Sequence, residues 1–309
     1  MKTYYRKEAS KLRKDKYFYP KGDLEVNLAE INMDEREILK DYVEKTRHFI
    51  EITELYKIFR VSVNVLREKF VINYSDLIEY KGGFITEGEL STYINLYTSS
   101  FLSTSKTLVD SIETYIEKVM GKDSHRDFRS KSLSKTYDSV FSYRLLNLLR
   151  NYSQHGHIPV EITGRRASFN IDDILRKPHT SGMNERVKKE LSEKRDEILT
   201  KFNNNPHLSY SYIIFDINYY ILKIYSDFLM FIKKDLLESH RKINKIITRP
   251  NVVDNGYVFY DYEDDTGFVH CFNSNDNIME LYTEIKKNVR QKLTEELELL
   301  KKAKIYLEI

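Results

Sequence analysis

The longest apolar stretch of the chain, "SYIIFDINYYILKIYSDFLMFIKK" at residues 211–234, decides the expected fold class. Its apolar run is interrupted by Asp216, Asn218, Lys223 and Asp227. Because a lipid-facing helix does not tolerate so many polar groups, the stretch predicts a buried helix of a globular protein and not a membrane span. The sequence "NNNP" before it and Pro250 after it limit this helix to about residues 208–247.

The segments around this helix carry similar helical patterns. Apolar residues recur at helical spacing within residues 34–70, at Ile38, Tyr42, Phe49, Ile52, Leu55, Ile58 and Phe59. A second apolar stripe lies within residues 134–155, at Tyr137, Val140, Phe141, Leu145, Leu148 and Tyr152. Further helices are predicted at about 87–120, ending before Gly121, at 183–202 and at about 277–304. The sequence "KDSHRDFRSKS", residues 122–132, is interpreted as a polar connector.

Two regions favour strands instead of helices. "PVEITGRRASFNI", residues 159–171, reads as two short extended pieces around a glycine-containing turn. "VVDNGYVFYDYEDDTGFVHCF", residues 252–272, alternates aromatic and polar residues around a turn and predicts a β-hairpin. The expected fold is therefore mainly α, with long helices, a small β insert and a C-terminal β-hairpin.

The order of these segments predicts three regions along the chain. Residues 1–86 are expected to form a basic arm followed by a helical region, and residues 87–247 a central helical bundle. Residues 248–309 are expected to supply the hairpin and a last helix, packed on the bundle.

Composition limits the classes of function. The net charge of +3 argues against a protein that simply coats nucleic acid. Residues 1–22 are strongly basic, and this arm is interpreted either as a phosphate contact or as a solvated tail. Cys271 is the only cysteine, which excludes an internal disulfide and a thiolate zinc site. With no apolar core after the N-terminal basic residues, we expect no signal peptide and a cytoplasmic protein.

The sequence "LLRNYSQHGHIP", residues 148–159, gathers an arginine, an amide and two imidazoles where the helix of residues 134–155 ends. Asn151 and His155 are four residues apart, so they share one face of that helix, and the amide can orient the imidazole ring. Gly156 and Pro159 then end the helix. The helix end is therefore the candidate functional site.

These side chains suit the cleavage of RNA, which carries its own nucleophile, the 2′-hydroxyl group. The imidazole of His155 titrates near neutral pH and can transfer protons. The planar guanidinium of Arg150 can hold the phosphate as negative charge builds up on it. This chemistry needs no metal and no other cofactor, so we expect none.

Four further cations are candidate RNA contacts, namely Arg144, His157, Arg165 and Arg166. Arg144 lies on the helix face of Asn151 and is predicted to be a second phosphate contact. His157 is interpreted either as a substitute base or as part of a loop surface. The two arginines of "GRRAS", residues 164–168, either line an RNA groove or form an exposed turn.

The spacing of Arg150 and His155 raises a geometric problem. Five residues apart, they diverge by about 140° on a regular helix. They can meet at one phosphate if the helix loosens before Gly156, or across a two-fold dimer cleft to which each copy supplies one group. The dimer also yields two histidines, one acid and one base, and is the preferred interpretation.

The stretch "LLRNYSQH" resembles the Arg-Asn-x-x-x-His signature of HEPN domains, which are helical bundles. The order of a long helix, a connector, the motif helix, an insert and a further long helix is also similar, over about residues 87–247. The resemblance implies a HEPN-like bundle acting as a homodimeric, metal-independent RNase of a toxin–antitoxin or phage-defence system. It implies that Arg150 and His155 are catalytic and that Asn151 supports them. It also implies an antitoxin or another defence protein as a partner.

Other interpretations stay open at this point. Arg150, Asn151 and His155 can instead be an ordinary C-terminal helix cap. "HGH" can bind a metal together with Glu161, Asp172 or His179, and "DYEDDTG", residues 261–267, can form a calcium loop. The main alternative function is a non-catalytic HEPN-like module that binds RNA or a protein, and a third is a helical structural protein.

Overall fold

The chain is mainly helical, which confirms the fold class predicted from its apolar pattern. The computed structural model describes residues 4–8, 33–72, 76–154, 157, 159–176, 184–202, 206–247, 257–261, 270–272 and 278–307. Its helices are α1 (Met33–Lys69), α2 (Glu87–Phe128), α3 (Lys135–Ser139), α4 (Phe141–Gln154), α5 (Ile171–Arg176), α6 (Glu185–Phe202), α7 (Tyr210–Ile247) and α8 (Ile278–Leu307). A π-helical segment, Arg129–Ser134, joins α2 to α3.

The described strands are short and pair antiparallel. They are β1 (Tyr4–Glu8), β2 (Phe70–Ile72), β3 (Ile78–Tyr80), β4 (Glu161–Thr163), β5 (Arg166–Asn170), β6 (His207–Ser209), β7 (Tyr257–Asp261) and β8 (His270–Phe272). They form the sheets β1–β7–β8, β2–β3 and β4–β5–β6. The pairing of β1 with β7 makes part of the basic N-terminal arm a strand, and residues 9–22 of the arm lie outside the described residues. The hairpin predicted for residues 252–272 stays a prediction, because residues 262–269 between β7 and β8 also lie outside them.

The chain divides into two compact units. One comprises Met1–Ile50 and Leu229–Lys287, and the other comprises Glu51–Phe228 and Asn288–Ile309. The candidate site belongs entirely to the second unit. The prediction of three consecutive regions along the sequence stays a prediction.

Helix α7 contributes many residues to the core of the second unit. Tyr210, Ile217, Leu222 and Tyr225 are fully buried. Three of the four polar residues that interrupt its apolar run bond to other side chains: Ser142 Oγ donates to Asp216 Oδ2, Arg60 Nη1 to Asn218 Oδ1 and Ser132 Oγ to Asp227 Oδ2. These hydrogen bonds link neighbouring helices to α7 and supply the partners that buried polar groups require. Among the described residues, no helix is both long and apolar enough to cross a membrane.

Helix α2 begins as its sequence indicates. Thr86 and Glu89 form a capping box, in which Thr86 Oγ1 accepts from the backbone N–H of Glu89 at 3.2 Å and the Thr86 N–H donates to Glu89 Oε2 at 2.9 Å. The Thr86 hydroxyl also donates to Glu89 Oε2, and the hydrogen bonds from the Thr86 N–H and hydroxyl lower the pKa of the Glu89 carboxyl.

The segment after Gly121 is helical, so its interpretation as a polar connector was wrong. Gly121 does break the helix, with φ 88° and ψ 167°, a conformation that residues other than glycine avoid. The chain then resumes helical conformation, and His125 Nε2 lies 2.9 Å from Glu113 Oε1 on the preceding part of α2. This long-range contact across the break, together with the burial of Phe128, stabilises a helix that local polarity did not predict.

The helix predicted for residues 134–155 is interrupted. Val140 is extended, with φ −123° and ψ 110°, and separates α3 from α4. Valine favours extended conformations, and this side chain is buried at the break. One residue of the apolar stripe predicted for α1 was also misjudged, since the side chain of Ile58 is 52% exposed.

The strand prediction around Gly164 is confirmed. Gly164 and Arg165, with φ 53° and 66°, form the turn between β4 and β5. One face of the sheet β4–β5–β6 is buried through Ala167, Phe169 and Leu208, and the other face is polar. Because successive side chains of a strand point to opposite faces, this sheet has a polar surface directly after the motif segment.

Candidate functional site

Helix α4 presents Arg150 and Asn151 on its less buried side. Its core face consists of Leu145, Leu146, Leu149 and Tyr152, all buried. Arg150 is half-buried, whereas Asn151 is exposed. The apolar spacing of the helix therefore fixes the leucines in the core and leaves the motif arginine and asparagine outside it.

Arg150 and Asn151 are brought together at the end of α4. Arg150 Nη1 lies 3.5 Å from Asn151 Oδ1, at the long limit for a hydrogen bond. Arg150 Nε is buried and has no hydrogen-bond partner among the described residues. Among the described residues, no carboxylate lies close enough to the Arg150 guanidinium to form an ion pair. Arg150 is thus a cation for which the described part of the chain supplies no counter-ion.

Arg144 does not fit the predicted role of a phosphate contact. It is buried, with 6% of its surface exposed, and its Nε donates to Glu190 Oε2 on α6 at 2.8 Å. Its Nη1 also donates to the backbone carbonyl of Tyr137. A guanidinium with these partners holds α4 against α6 and α3, so we correct its assignment to a structural one.

His155 lies outside the described residues, so its predicted catalytic role stays a prediction. The chain near it is described at His157, whose backbone N–H donates to the carbonyl of Tyr152 at 3.3 Å. A hydrogen bond from an N–H group to the carbonyl five residues earlier closes the C-terminus of many helices. This hydrogen bond therefore supports the interpretation of the motif as a helix cap.

His157 packs against α4. Its ring centroid lies 4.9 Å from that of Tyr152, with the ring planes tilted by 43°. Burial raises the pKa of the Tyr152 hydroxyl, and the charge of Asp173 raises it further. This ring contact favours a packing role for His157.

Arg165 and Arg166 are exposed in and beside the turn between β4 and β5. The carbonyl of Arg165 accepts a hydrogen bond from the Ile78 N–H at 2.9 Å, so the turn is fixed against β3. Among the described residues, no hydrogen bond or ion pair joins either arginine to Arg150. Both side chains are accessible to a ligand, and their predicted contact with RNA stays a prediction.

The polar face of the sheet β4–β5–β6 holds a cluster that the sequence did not indicate. His207 Nδ1 lies 3.0 Å from Ser168 Oγ and 3.8 Å from Glu161 Oε2, and Asn170 Nδ2 donates to Glu161 Oε2 at 2.9 Å. Since serine and glutamate approach the same nitrogen, the three do not form a relay in which the ring passes a proton between them. Only the strand register places these residues side by side, and β6 was not predicted as a strand.

Two residues of the alternative metal site already have protein partners. Asp172 accepts a hydrogen bond from Arg195 Nε at 2.6 Å, and Glu161 accepts one from Asn170. His179 and residues 262–267 of the "DYEDDTG" loop lie outside the described residues. Among the described residues, no group of three His, Cys, Asp or Glu side chains is placed to hold a metal ion.

Comparisons of the chain with known protein families, with curated proteins and with solved structures gave no match. Assignment of a function therefore depends on the side chains at the end of α4 and on their resemblance to the HEPN motif.

Proposed function

We propose that the chain is a metal-independent endoribonuclease of the HEPN type, acting as a toxin or phage-defence component in the cytoplasm. The observation that supports this most is the state of Arg150. Its guanidinium lies beside the Asn151 amide at the end of α4, with no carboxylate partner among the described residues. The central helices would then form a HEPN-like bundle, followed by a C-terminal β-hairpin.

Among the described residues, Arg150 has no ion pair, unlike three other arginines of its unit. Arg144 pairs with Glu190, Arg186 with Asp138 and Arg195 with Asp172. A buried or half-buried cation without an anion is costly unless it serves a ligand. A phosphate of RNA supplies the missing negative charge in a planar, two-pronged geometry that suits a guanidinium.

In the proposed reaction, the RNA 2′-hydroxyl attacks the adjacent phosphorus atom. His155 of one copy accepts the hydroxyl proton, and His155 of the second copy donates a proton to the leaving 5′-oxygen. Arg150 stabilises the negative charge on the crowded phosphate, and Asn151 orients the imidazole. The products carry a 2′,3′-cyclic phosphate and a 5′-hydroxyl group.

A homodimer follows from the same proposal. Arg150 and His155 diverge by about 140° on a regular helix, so one phosphate is reached more readily by groups from two chains. A two-fold axis near the ends of two α4 helices would bring the two His155 side chains, one acid and one base, to a single cleft.

The alternative function is a non-catalytic HEPN-like module that binds RNA or a protein. The hydrogen bond from the His157 N–H to the Tyr152 carbonyl favours it, because it closes α4 as an ordinary helix terminus. In this alternative Arg150 still binds a phosphate or a carboxylate, but His155 transfers no proton.

One experiment separates the two functions. Purified protein is incubated with tRNA and mRNA in EDTA, and the ends of any fragments are analysed. Cleavage with 2′,3′-cyclic phosphate ends supports the enzyme, whereas binding without cleavage supports the module. Activity that requires added Mg²⁺, Mn²⁺ or Zn²⁺, or products with a 5′-phosphate, would contradict the metal-free mechanism.

A further inference from the structure

The turn between β4 and β5 contains an arginine in the left-handed region of backbone conformation. Gly164 and Arg165 are its two central residues, and both have positive φ. Two-residue turns of this kind favour glycine or asparagine at such positions, because a larger side chain is unfavourable in the left-handed region. Arg165, with φ 66°, is therefore kept in this turn at a cost to stability.

Arg165 is interlocked with a second residue of positive φ. Among the described residues, the only other non-glycine residue with positive φ is Asp76, at 62°. The Ile78 N–H donates to the Arg165 carbonyl at 2.9 Å. The Ala167 N–H donates to the Asp76 carbonyl at 2.9 Å as well. Each left-handed residue is thus hydrogen-bonded to the segment that contains the other.

The side chain of Asp76 connects this interlock to α7. Its Oδ1 accepts hydrogen bonds from the Ser211 N–H at 2.8 Å and from the hydroxyls of Ser211 and Ser209 at 2.7 and 3.0 Å. These donors lie at the start of α7, so a carboxylate from a distant part of the chain caps this helix. The backbone of the turn is therefore fixed by the core helix of the unit as well as by its own strands.

The arginine side chains of the turn extend from this fixed backbone into solvent. Arg165 and Arg166 are both exposed, and neither forms an ion pair within the described parts of the chain. Burial raises the pKa of the Asp76 carboxyl, and hydrogen bonds from the serines and the charge of Arg166 oppose this shift. Because Arg166 already interacts with Asp76, Arg165 is the better contact for an external anion.

We propose that this turn is a preformed anion-binding site, in which Arg165 binds a phosphodiester group of single-stranded RNA. The choice of RNA rests on the proposed ribonuclease function, whereas the anion site rests on the turn itself. Residues held in unfavourable backbone conformations cluster at sites that hold ligands. A guanidinium matches two oxygens of a phosphate in its planar geometry. Because the backbone is held before the ligand arrives, less conformational freedom is lost on binding than in a mobile loop.

The test measures the binding of a strand that the protein cannot cleave by the proposed reaction. A fluorescent 2′-O-methyl oligouridylate has the phosphates of RNA and lacks the 2′-hydroxyl nucleophile. Its binding to the full chain is titrated at several salt concentrations. Each phosphate contact with a single strand contributes about 0.7 to the slope of the logarithm of affinity against the logarithm of salt concentration.

Two substitutions distinguish this site from general attraction by positive charge. Arg165→Asn removes the cation and introduces a residue that tolerates positive φ. We expect it to reduce the salt slope by about 0.7 and to raise the midpoint of urea denaturation. Arg126→Asn is the matched control, since Arg126 is also exposed in the same unit and pairs with Asp123. It should leave the salt slope unchanged.

Three results would overturn the proposal. The first is a salt slope of Arg165→Asn equal to that of the wild type, and the second is a wild type that does not bind the oligonucleotide. The third is a lower midpoint of denaturation in Arg165→Asn, because Arg165 would then stabilise the fold instead of being kept at a cost to it.

Hydrogen exchange of the wild-type protein tests the interlock without any variant. The amides of Ile78 and Ala167 should exchange slowly, because both protons are donated between the two segments. Exchange of these amides as fast as in an exposed loop would overturn the claim that the turn is preformed.

The anion site and the proposed function can fail separately. If the wild type cleaves no RNA, but Arg165→Asn reduces the salt slope of binding, the ribonuclease function is refuted and the anion site is kept. If the wild type cleaves RNA, and Arg165→Asn binds the oligonucleotide with the wild-type salt slope, the anion site is refuted and the function is kept.

Discussion

Glu296 on α8 is fully buried and accepts hydrogen bonds from both terminal nitrogens of Arg67 on α1, at 2.7 and 2.5 Å. Arg60 approaches the same carboxylate at 3.5 Å and also donates to Asn218 Oδ1 on α7. The carboxylate thus links α1 with α8, and Arg60 extends the network to α7. All these residues belong to the unit that contains α4.

Removal of this carboxylate is expected to destabilise the unit strongly. Glu296→Ala leaves Arg60 and Arg67 without their anion and should lower the free energy of unfolding by about 3–5 kcal/mol. Glu298→Ala on the same helix is the control, since its exposed pair with Lys301 should contribute less than about 1 kcal/mol. Urea denaturation measures both values, and equal losses in the two variants would contradict the assignment.

Arg150 and Arg144 should respond in opposite ways to truncation. Arg150→Ala should lower the rate of RNA cleavage by about 10²- to 10³-fold, because it removes charge stabilisation at the phosphate. It should change the stability by less than about 1 kcal/mol. Arg144→Ala should instead lower the stability by about 3 kcal/mol, because it leaves Glu190 without its buried partner. Cleavage assays and thermal unfolding of both variants test this, and a stable, inactive Arg144→Ala would return Arg144 to the site.

Mixed dimers test the cross-subunit site. Arg150→Ala and His155→Ala should each be inactive alone, since each removes one group required at a cleft. A doubly tagged heterodimer of the two, purified after co-expression, should regain partial activity, because its cleft retains one Arg150 and one His155, whereas each parent lacks one of these residues entirely. Activity no higher than that of either parent would count against this arrangement, and so would an active monomer at nanomolar concentration.

The two glycines of α2 should respond to alanine with opposite signs. Gly121→Ala forces a side chain into a φ of 88° and should destabilise the chain by about 1–3 kcal/mol. Gly88→Ala lies in the first turn of the helix, where an added Cβ would meet nothing within 4 Å. It should stabilise the chain by up to about 1 kcal/mol. Chemical denaturation tests both, and a neutral Gly121→Ala would show that the break is not required.

A pH-dependent loss of stability is expected from Asp216. Burial raises the pKa of this carboxyl above the ordinary value of 3.8, and the hydrogen bond from Ser142 and the charge of Lys304 oppose the shift only in part. Because the folded-state pKa is the higher one, the stabilising contribution is complete below about pH 3.8 and is lost as the pH rises through the folded pKa.

Asp216→Asn cannot ionise and can still accept the Ser142 hydrogen bond. Its stability relative to the wild type should therefore increase as the pH rises from about 4 to 7. Urea titrations at several pH values measure the difference, with the exposed Asp123→Asn as the control for loss of one charge. If the difference in stability between the variant and the wild type stays constant or decreases over this range, the pKa of Asp216 is not raised.

The positions of most helices could be predicted from the sequence, because local features of the sequence determine them. The helix predicted at about 87–120 begins where α2 begins, and Gly121, predicted to follow its end, breaks α2 in the structure. The turn at Gly164 was likewise predicted from a glycine between two extended pieces. The helix of residues 122–128 was missed because distant contacts, including that of His125 with Glu113, stabilise a locally polar sequence.

The sequence by itself determined that α4 is amphipathic and ends with Arg150 and Asn151 outside the core, because the spacing of leucines along one helix decides which side is buried. Only the tertiary structure decided which arginine is available to a ligand. The sequence pattern does not distinguish Arg144 from Arg150. In the structure, Glu190 on α6 pairs with Arg144, whereas no described carboxylate pairs with Arg150. That difference depends on residues distant in sequence, and the same holds for the two hydrogen bonds between the Asn95 side chain and the backbone of Val160.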